Sequence, residues 1–151
     1  MAEFVKPSQV FLNQSAASVD EVLAFLAARA AEAGIATDEE AVLAALKARE
    51  ANGTTGMTGG FAIPHCKSAA VSQAAVFVVK FAEEIAWASM DGEPIKVAIS
   101  LLVPDGEAGT TFLKLLSQVA MMLMQEEFRD KIMGTDDADE IAATINAGIS
   151  L

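Results

Sequence analysis

Several residue types on which common functions depend are scarce or missing in this sequence. Its 151 residues hold one cysteine, one histidine, one tryptophan and no tyrosine. A lone cysteine, Cys66, permits no intrachain disulfide, so the fold does not depend on an oxidising compartment and a reducing cytoplasm suits it. One histidine with one adjacent cysteine cannot converge on an ion without strain, so no metal site is expected, and no cofactor either. Basic residues are also few. Ten Lys and Arg against twenty-one Asp and Glu give a formal charge of -11, which repels a phosphate backbone and excludes nucleic acid as a partner. Uncharged stretches such as 68–79 and 115–125 fall short of the ~20 apolar residues that a spanning helix needs. The first six residues lack the basic cluster and apolar run of a secretory signal, so a cytoplasmic protein is expected.

Apolar residues are plentiful, at 53% of the chain, enough for one compact core and too few residues for two, so 1–151 is expected to be one domain. Val10-Phe11-Leu12, closed by Asn13, reads as a strand. Ser18-Val19-Asp20-Glu21 has the serine-x-x-glutamate pattern of a capping box, and Val22, Leu23, Leu26 and Ala30 then recur at helical spacing as far as Gly34. A second cap signal at Thr37-Asp38-Glu39-Glu40 opens a helix with Arg49 in its last turn. Stretches 74–81 and 96–103, rich in valine, isoleucine and phenylalanine between turn-formers, read as two central strands. Thr110 or Thr111 is positioned to cap a long helix, followed by helices over 126–133 and 136–147. The pattern predicts an α/β fold with a mixed sheet of about five strands and helices on both faces.

Between the second helix and the first central strand, Asn52 to Gly60 carries four glycines and no charge, which excludes a regular helix and suggests backbone held close to something. Phe61-Ala62-Ile63-Pro64 then presents His65 behind a stiff proline. A neutral imidazole is nucleophilic near physiological pH, and a hydrogen bond to one nitrogen sets which tautomer is present, properties that suit reversible phosphorylation. On residue type alone, a satisfied core or surface histidine is equally compatible. Arg49 can hold two phosphoryl oxygens, or can simply be a helix C-terminal cation favoured by the macrodipole. Thr54 and Thr55 can donate hydroxyls to the same anion, or fix turns. Cys66, next to His65 in an extended segment, points to the opposite face and reads as a small packed residue rather than a nucleophile. No carboxylate or nucleophile array accompanies His65, which disfavours a hydrolase.

Taken together, Arg49-Glu50, Thr54-Thr55-Gly56-Met57 and Gly60-Phe61-Ala62-Ile63-Pro64-His65 resemble the signature of the fructose/mannitol-type enzyme IIA domains of the phosphotransferase system. The resemblance runs from Val10-Phe11-Leu12 through Leu113-Lys114-Leu115-Leu116 and Glu126-Glu127-Phe128-Arg129 to the last helix. It implies a phosphotransferase that accepts a phosphoryl group from the histidine-containing carrier HPr on Nε2 of His65. That group then passes to a cysteine of a IIB component, which serves a membrane IIC component in sugar uptake. It implies that Arg49 lies near the phosphohistidine and that Thr54, Thr55, Gly56 and Phe112 support the site. Phe112 stands where family members often carry a second histidine; a neighbouring Thr111 hydroxyl replaces its hydrogen bond, or the Phe112 ring walls the pocket. A regulatory protein of the nitrogen-type branch, whose His65 phosphorylation controls binding to target proteins, is the alternative role.

Overall fold

A computed structural model describes residues 4–107 and 110–150. The two strands expected at the centre are there: β4 (Ala75–Ile85) and β5 (Ile95–Pro104) pair antiparallel, with Val76 opposite Leu101 and Val78 opposite Ile99. β1 (Val10–Gln14) lies parallel to β4 on its far side. On the other side of β5 run two short parallel strands, β2 (Phe61–Ala62) and β3 (His65–Ser68). Phe61 pairs with Val97 and His65 with Leu101, so β2 and β3 keep one register and form a single edge interrupted at Ile63-Pro64. The interruption has a local cause. Pro64 has no N–H to donate, and the Ile63 N–H turns outward to the Thr55 carbonyl at 3.0 Å, while the Pro64 carbonyl still accepts from Leu101 N–H at 3.1 Å.

Alternation along the strands gives the sheet two apolar faces. On one, Ala62, Cys66, Phe77, Val79, Ala98 and Leu102 meet α1 (Val19–Glu32) and α2 (Glu39–Ala51) through Leu23, Leu26, Val42 and Leu46. On the other, Phe61, Ile63, Val76, Val78, Ile99 and Leu101 meet α3 (Thr110–Leu123), α4 (Glu126–Met133) and α5 (Ala138–Ala147) through Leu115, Val119, Ile132, Ile141 and Ile145. This is the α/β architecture the sequence predicts, a five-stranded mixed sheet covered on both faces.

The first helix starts at its cap signal, the second is capped one residue after Thr37, and the last begins at Ala138, two residues inside the expected 136. Ser18 accepts from Glu21 N–H at 3.3 Å, whereas the Glu21 carboxylate accepts from Ala17 N–H, one residue earlier than in a regular capping box. Asp38 and Asp137 cap α2 and α5. The cap expected at Thr110 or Thr111 is corrected: α3 begins at Thr110, both threonines lie in its first turn, and the residue before it is outside the described residues.

Two polar devices were not legible in the pattern. Lys80 of β4 is buried, and its ammonium donates to the carbonyls of Ile132, Met133 and Thr135 at 2.9, 3.2 and 2.6 Å, closing the C-terminal end of α4 against the sheet. Asn146 of α5 ties the N-terminal segment down: its Oδ1 accepts from Phe4 and Val5 N–H, both at 3.0 Å, and its Nδ2 donates to the Val5 carbonyl at 2.7 Å.

Candidate functional site

His65 opens β3 directly after Pro64, at the edge of the sheet, and its side chain is buried. Its Nδ1 lies 2.7 Å from the Ile63 carbonyl oxygen, which can only accept, so Nδ1 carries the proton. Its Nε2 lies 3.1 Å from Nε of Arg49, which can only donate, so Nε2 carries the lone pair. Both contacts select the same tautomer. The imidazole pKa is lowered from its ordinary 6.5, chiefly because burial disfavours the cation; the Ile63 carbonyl opposes this, the Arg49 charge adds to it and the Glu50 charge opposes it. At neutral pH the ring is therefore uncharged, with an available nucleophilic nitrogen.

Arg49 reaches His65 from the last turn of α2, and its Nη1 donates to the Gly53 carbonyl at 2.7 Å. The cation lies at the helix C-terminus, as the macrodipole favours, and its Nε faces the imidazole. Glu50, the next residue, holds the loop: its carboxylate accepts from Thr55 N–H at 3.0 Å, from the Thr55 hydroxyl and from Trp87 Nε1 at 3.3 Å.

The loop threonines are placed differently from the anion-donor expectation. The Thr55 hydroxyl is committed to Glu50, and the Thr54 hydroxyl donates to the Ala88 carbonyl at 2.5 Å. Both fix the loop instead of facing His65. Gly56 serves the same end by close approach: it bridges Ala62 and Ser89, and a Cβ there would stand 2.1 Å from the Ala88 carbonyl oxygen. The outer edge of β2 is thereby covered by the segment from Thr55 to Met57, with Met57 N–H donating to the Phe61 carbonyl at 2.8 Å.

From the opposite layer, Phe112 in the first turn of α3 brings its ring centroid to 5.6 Å from that of His65, tilted by 47°. Between the two alternatives for this position, the structure places the ring as a wall of the pocket. The pocket is open, of about 470 Å³, with Ala45, Ala48, Arg49 and Asn52 of α2 and its C-cap on one side, His65 and Lys67 along β3, and Phe112 opposite. Cys66 packs among the apolar residues under α1 and α2, and burial pushes its thiol up to about 12, so it holds no thiolate at neutral pH. Among the described residues, no three of His, Cys, Asp or Glu converge as metal ligands.

Two residues at the site escaped the sequence reading. Glu50 appeared only as part of a motif, and nothing local marks its role in holding the loop. Lys67 shares the side of β3 that His65 occupies, which two-residue alternation could have flagged.

A neutral imidazole thus faces a guanidinium at an interrupted sheet edge. The chain matches, over residues 3–148, the family described as "Phosphoenolpyruvate-dependent sugar phosphotransferase system, EIIA 2", and it belongs to that family of phosphotransferase components. It is 34% identical over 132 residues to the PTS system fructose-specific EIIA component of Haloferax volcanii, covering 87% of this chain and 85% of that protein. It is 33% identical to the 2-O-alpha-mannosyl-D-glycerate-specific EIIABC component of Escherichia coli over 89% of this chain, and spans only 21% of that longer protein. Among solved structures, the nitrogen regulatory protein IIA-Ntr from Neisseria meningitidis superimposes with a TM-score of 0.87 at 29% identity, covering 95% of this chain and 97% of that one. No helix among the described residues is long and apolar enough to cross a membrane.

Proposed function

We propose that this protein is a cytoplasmic phosphocarrier of a sugar phosphotransferase system, acting as one IIA domain over residues 1–151. It takes a phosphoryl group from phospho-HPr on Nε2 of His65 and gives it to a cysteine of a IIB component, through which it associates with a membrane IIC component. The observation that carries this reading is the tautomer: Ile63 holds the proton on Nδ1, and Nε2 keeps its lone pair beside Arg49.

In the forward step the Nε2 lone pair attacks phosphorus in line as the bond from phosphorus to the donor imidazole breaks, and that bond's electron pair returns to the donor nitrogen. The donor's other ring nitrogen carries a proton, so the donor leaves as a neutral imidazole, and His65, whose Nδ1–H stays on the Ile63 carbonyl, takes up the positive ring charge. Once the Nε2 lone pair is used, the Arg49 Nε–H is released to a phosphoryl oxygen, while Nη1 remains anchored on Gly53. In the onward step a IIB thiolate attacks phosphorus and the electron pair of the P–N bond returns to Nε2. Positioning and charge neutralisation do the catalytic work, as expected for phosphoryl transfer.

The test is incubation with phosphoenolpyruvate, enzyme I and HPr, followed by intact mass of wild type and His65→Ala. An acid-labile phosphoryl adduct on wild type alone is expected, and an adduct of equal yield on His65→Ala refutes the site. The close superposition on the Neisseria nitrogen regulatory protein favours a second reading, in which His65 phosphorylation controls binding to target proteins. Onward transfer to a IIB cysteine supports the transport role. An adduct that no IIB accepts supports the regulatory one.

A further inference from the structure

We propose that Lys67 is a second ligand of the phosphoryl group carried by His65, parked on the Phe112 ring until that group arrives; this rests on the phosphocarrier reading of His65. Lys67 follows His65 by two residues in β3, so the two side chains leave the strand on one side, from Cα positions about 7 Å apart. The Lys67 ammonium stands over the Phe112 ring, 5.7 Å from its centroid, and the His65 ring lies 5.6 Å from the same centroid. Phe112 is therefore shared by the imidazole and the ammonium. Among the described residues the Lys67 ammonium makes no hydrogen bond and no ion pair, so a weak cation–π contact at an exposed position is what holds its head group. A long flexible stem leaves it able to swing from the ring to the pocket.

The charge at the site calls for such a group. A phosphoryl group brings close to two negative charges at neutral pH, and the His65 ring, keeping Nδ1–H, offsets one of them. Arg49 brings one positive charge, part of whose fork is fixed on the Gly53 carbonyl. Glu50 adds a negative charge that Thr55 and Trp87 hold in place, so it cannot turn away. α3 offers the pocket the carbon face of Phe112, and Asn52 is neutral. Lys67 is the remaining cation lining the pocket, in a chain whose formal charge of -11 opposes any further anion. Lys67 makes and breaks no covalent bond. Its ammonium donates to a phosphoryl oxygen and stabilises the phosphorylated state.

A partition experiment reads this directly. Wild type and Lys67→Met, at equal concentration and distinguishable by intact mass, share a limiting amount of phosphoryl groups, with a catalytic quantity of HPr, until the distribution stops changing. Because the end point is an equilibrium, any effect of Lys67 on docking the carrier cancels. Wild type is expected to hold about tenfold more phosphoryl than Lys67→Met, the effect of one charge-assisted hydrogen bond. The bias should shrink with added salt, and Lys67→Arg should share nearly evenly with wild type, outcomes that loss of packing would not give. An even split between wild type and Lys67→Met overturns the role of Lys67 while leaving His65 as the carrier. Failure of wild type to accept any phosphoryl overturns the phosphocarrier reading, and the role of Lys67 with it.

Discussion

His65 is an uncharged base held in a buried position, and this links the site to stability. In the unfolded chain its imidazole titrates near the ordinary 6.5, while in the folded chain the value is lower, first because of burial. As pH falls through the interval below 6.5, the unfolded chain takes up a proton that the folded chain refuses, so stability drops; above 6.5 the contribution is complete. Urea unfolding midpoints of wild type should therefore fall more steeply between about pH 7 and about pH 5.5 than those of His65→Gln, which has nothing to titrate at this position. Parallel slopes would show that His65 does not resist protonation. At this scale the sequence was most readable where a residue type has few uses. A single histidine behind a proline, with an arginine at a helix end, could be picked out, and the fold brings them within 3.1 Å. For Thr54 and Thr55 the choice between anion donor and turn-former stayed open, because a hydroxyl does not announce its partner. That partner is Ala88, 34 residues away, for one, and Glu50, facing back from the helix, for the other. Lys67 was passed over because an exposed lysine says little by itself; only its two-residue spacing from His65 pointed to it, and the Phe112 ring beneath it gives that spacing a meaning.

Among the elements, the loop between α2 and β2 is irregular yet closely packed. Gly56 runs against the backbone of Ala88, which no side-chain rotation can move aside. Gly56→Ala should lower stability by about 1–3 kcal/mol, the usual cost of forced overpacking, and should also slow phosphoryl acceptance, because the loop that anchors Glu50 and covers β2 must shift. Thermal unfolding and the rate of adduct formation check the two parts. A variant as stable and as fast as wild type would mean that Ala88 yields freely. The helices were legible because their signals are local: Ser18, Asp38 and Asp137 lie at their caps, and the apolar residues recur every three or four positions. The edge strands were harder. β2 has two residues and β3 four, too few for alternation to declare itself, and Pro64 between them reads as a break although the register runs straight through it.

Across the whole molecule, a formal charge of -11 on 151 residues makes the folded state repel itself. Raising sodium chloride from about 10 mM to about 200 mM should lift the melting temperature by several degrees as that repulsion is screened; an unchanged midpoint would mean that local ion pairing already cancels it. Fold class could be read from the alternation of helical and strand patterns, whereas the site had to be assembled from three layers. Arg49 comes from the layer of α1 and α2, His65 from the sheet edge and Phe112 from the layer of α3. Lys80 shows why such joins stay hidden: a lysine in a valine-rich strand looks like a solvent-facing position, and only the open carbonyls at the end of α4, more than fifty residues later, explain its burial. The clasp between Asn146 and residues Phe4 and Val5 spans separations of 142 and 141 residues. On the ribosome, at roughly 5–20 residues per second, Asn146 is added on the order of ten seconds after Phe4 and Val5. Part of the segment has an earlier partner, since Val76 N–H of β4 donates to the Phe4 carbonyl at 2.9 Å and Val10 pairs with Val78. The order of synthesis thus lets the N-terminal segment meet β4 first and receive its second fastening, from α5, only when the chain is nearly finished.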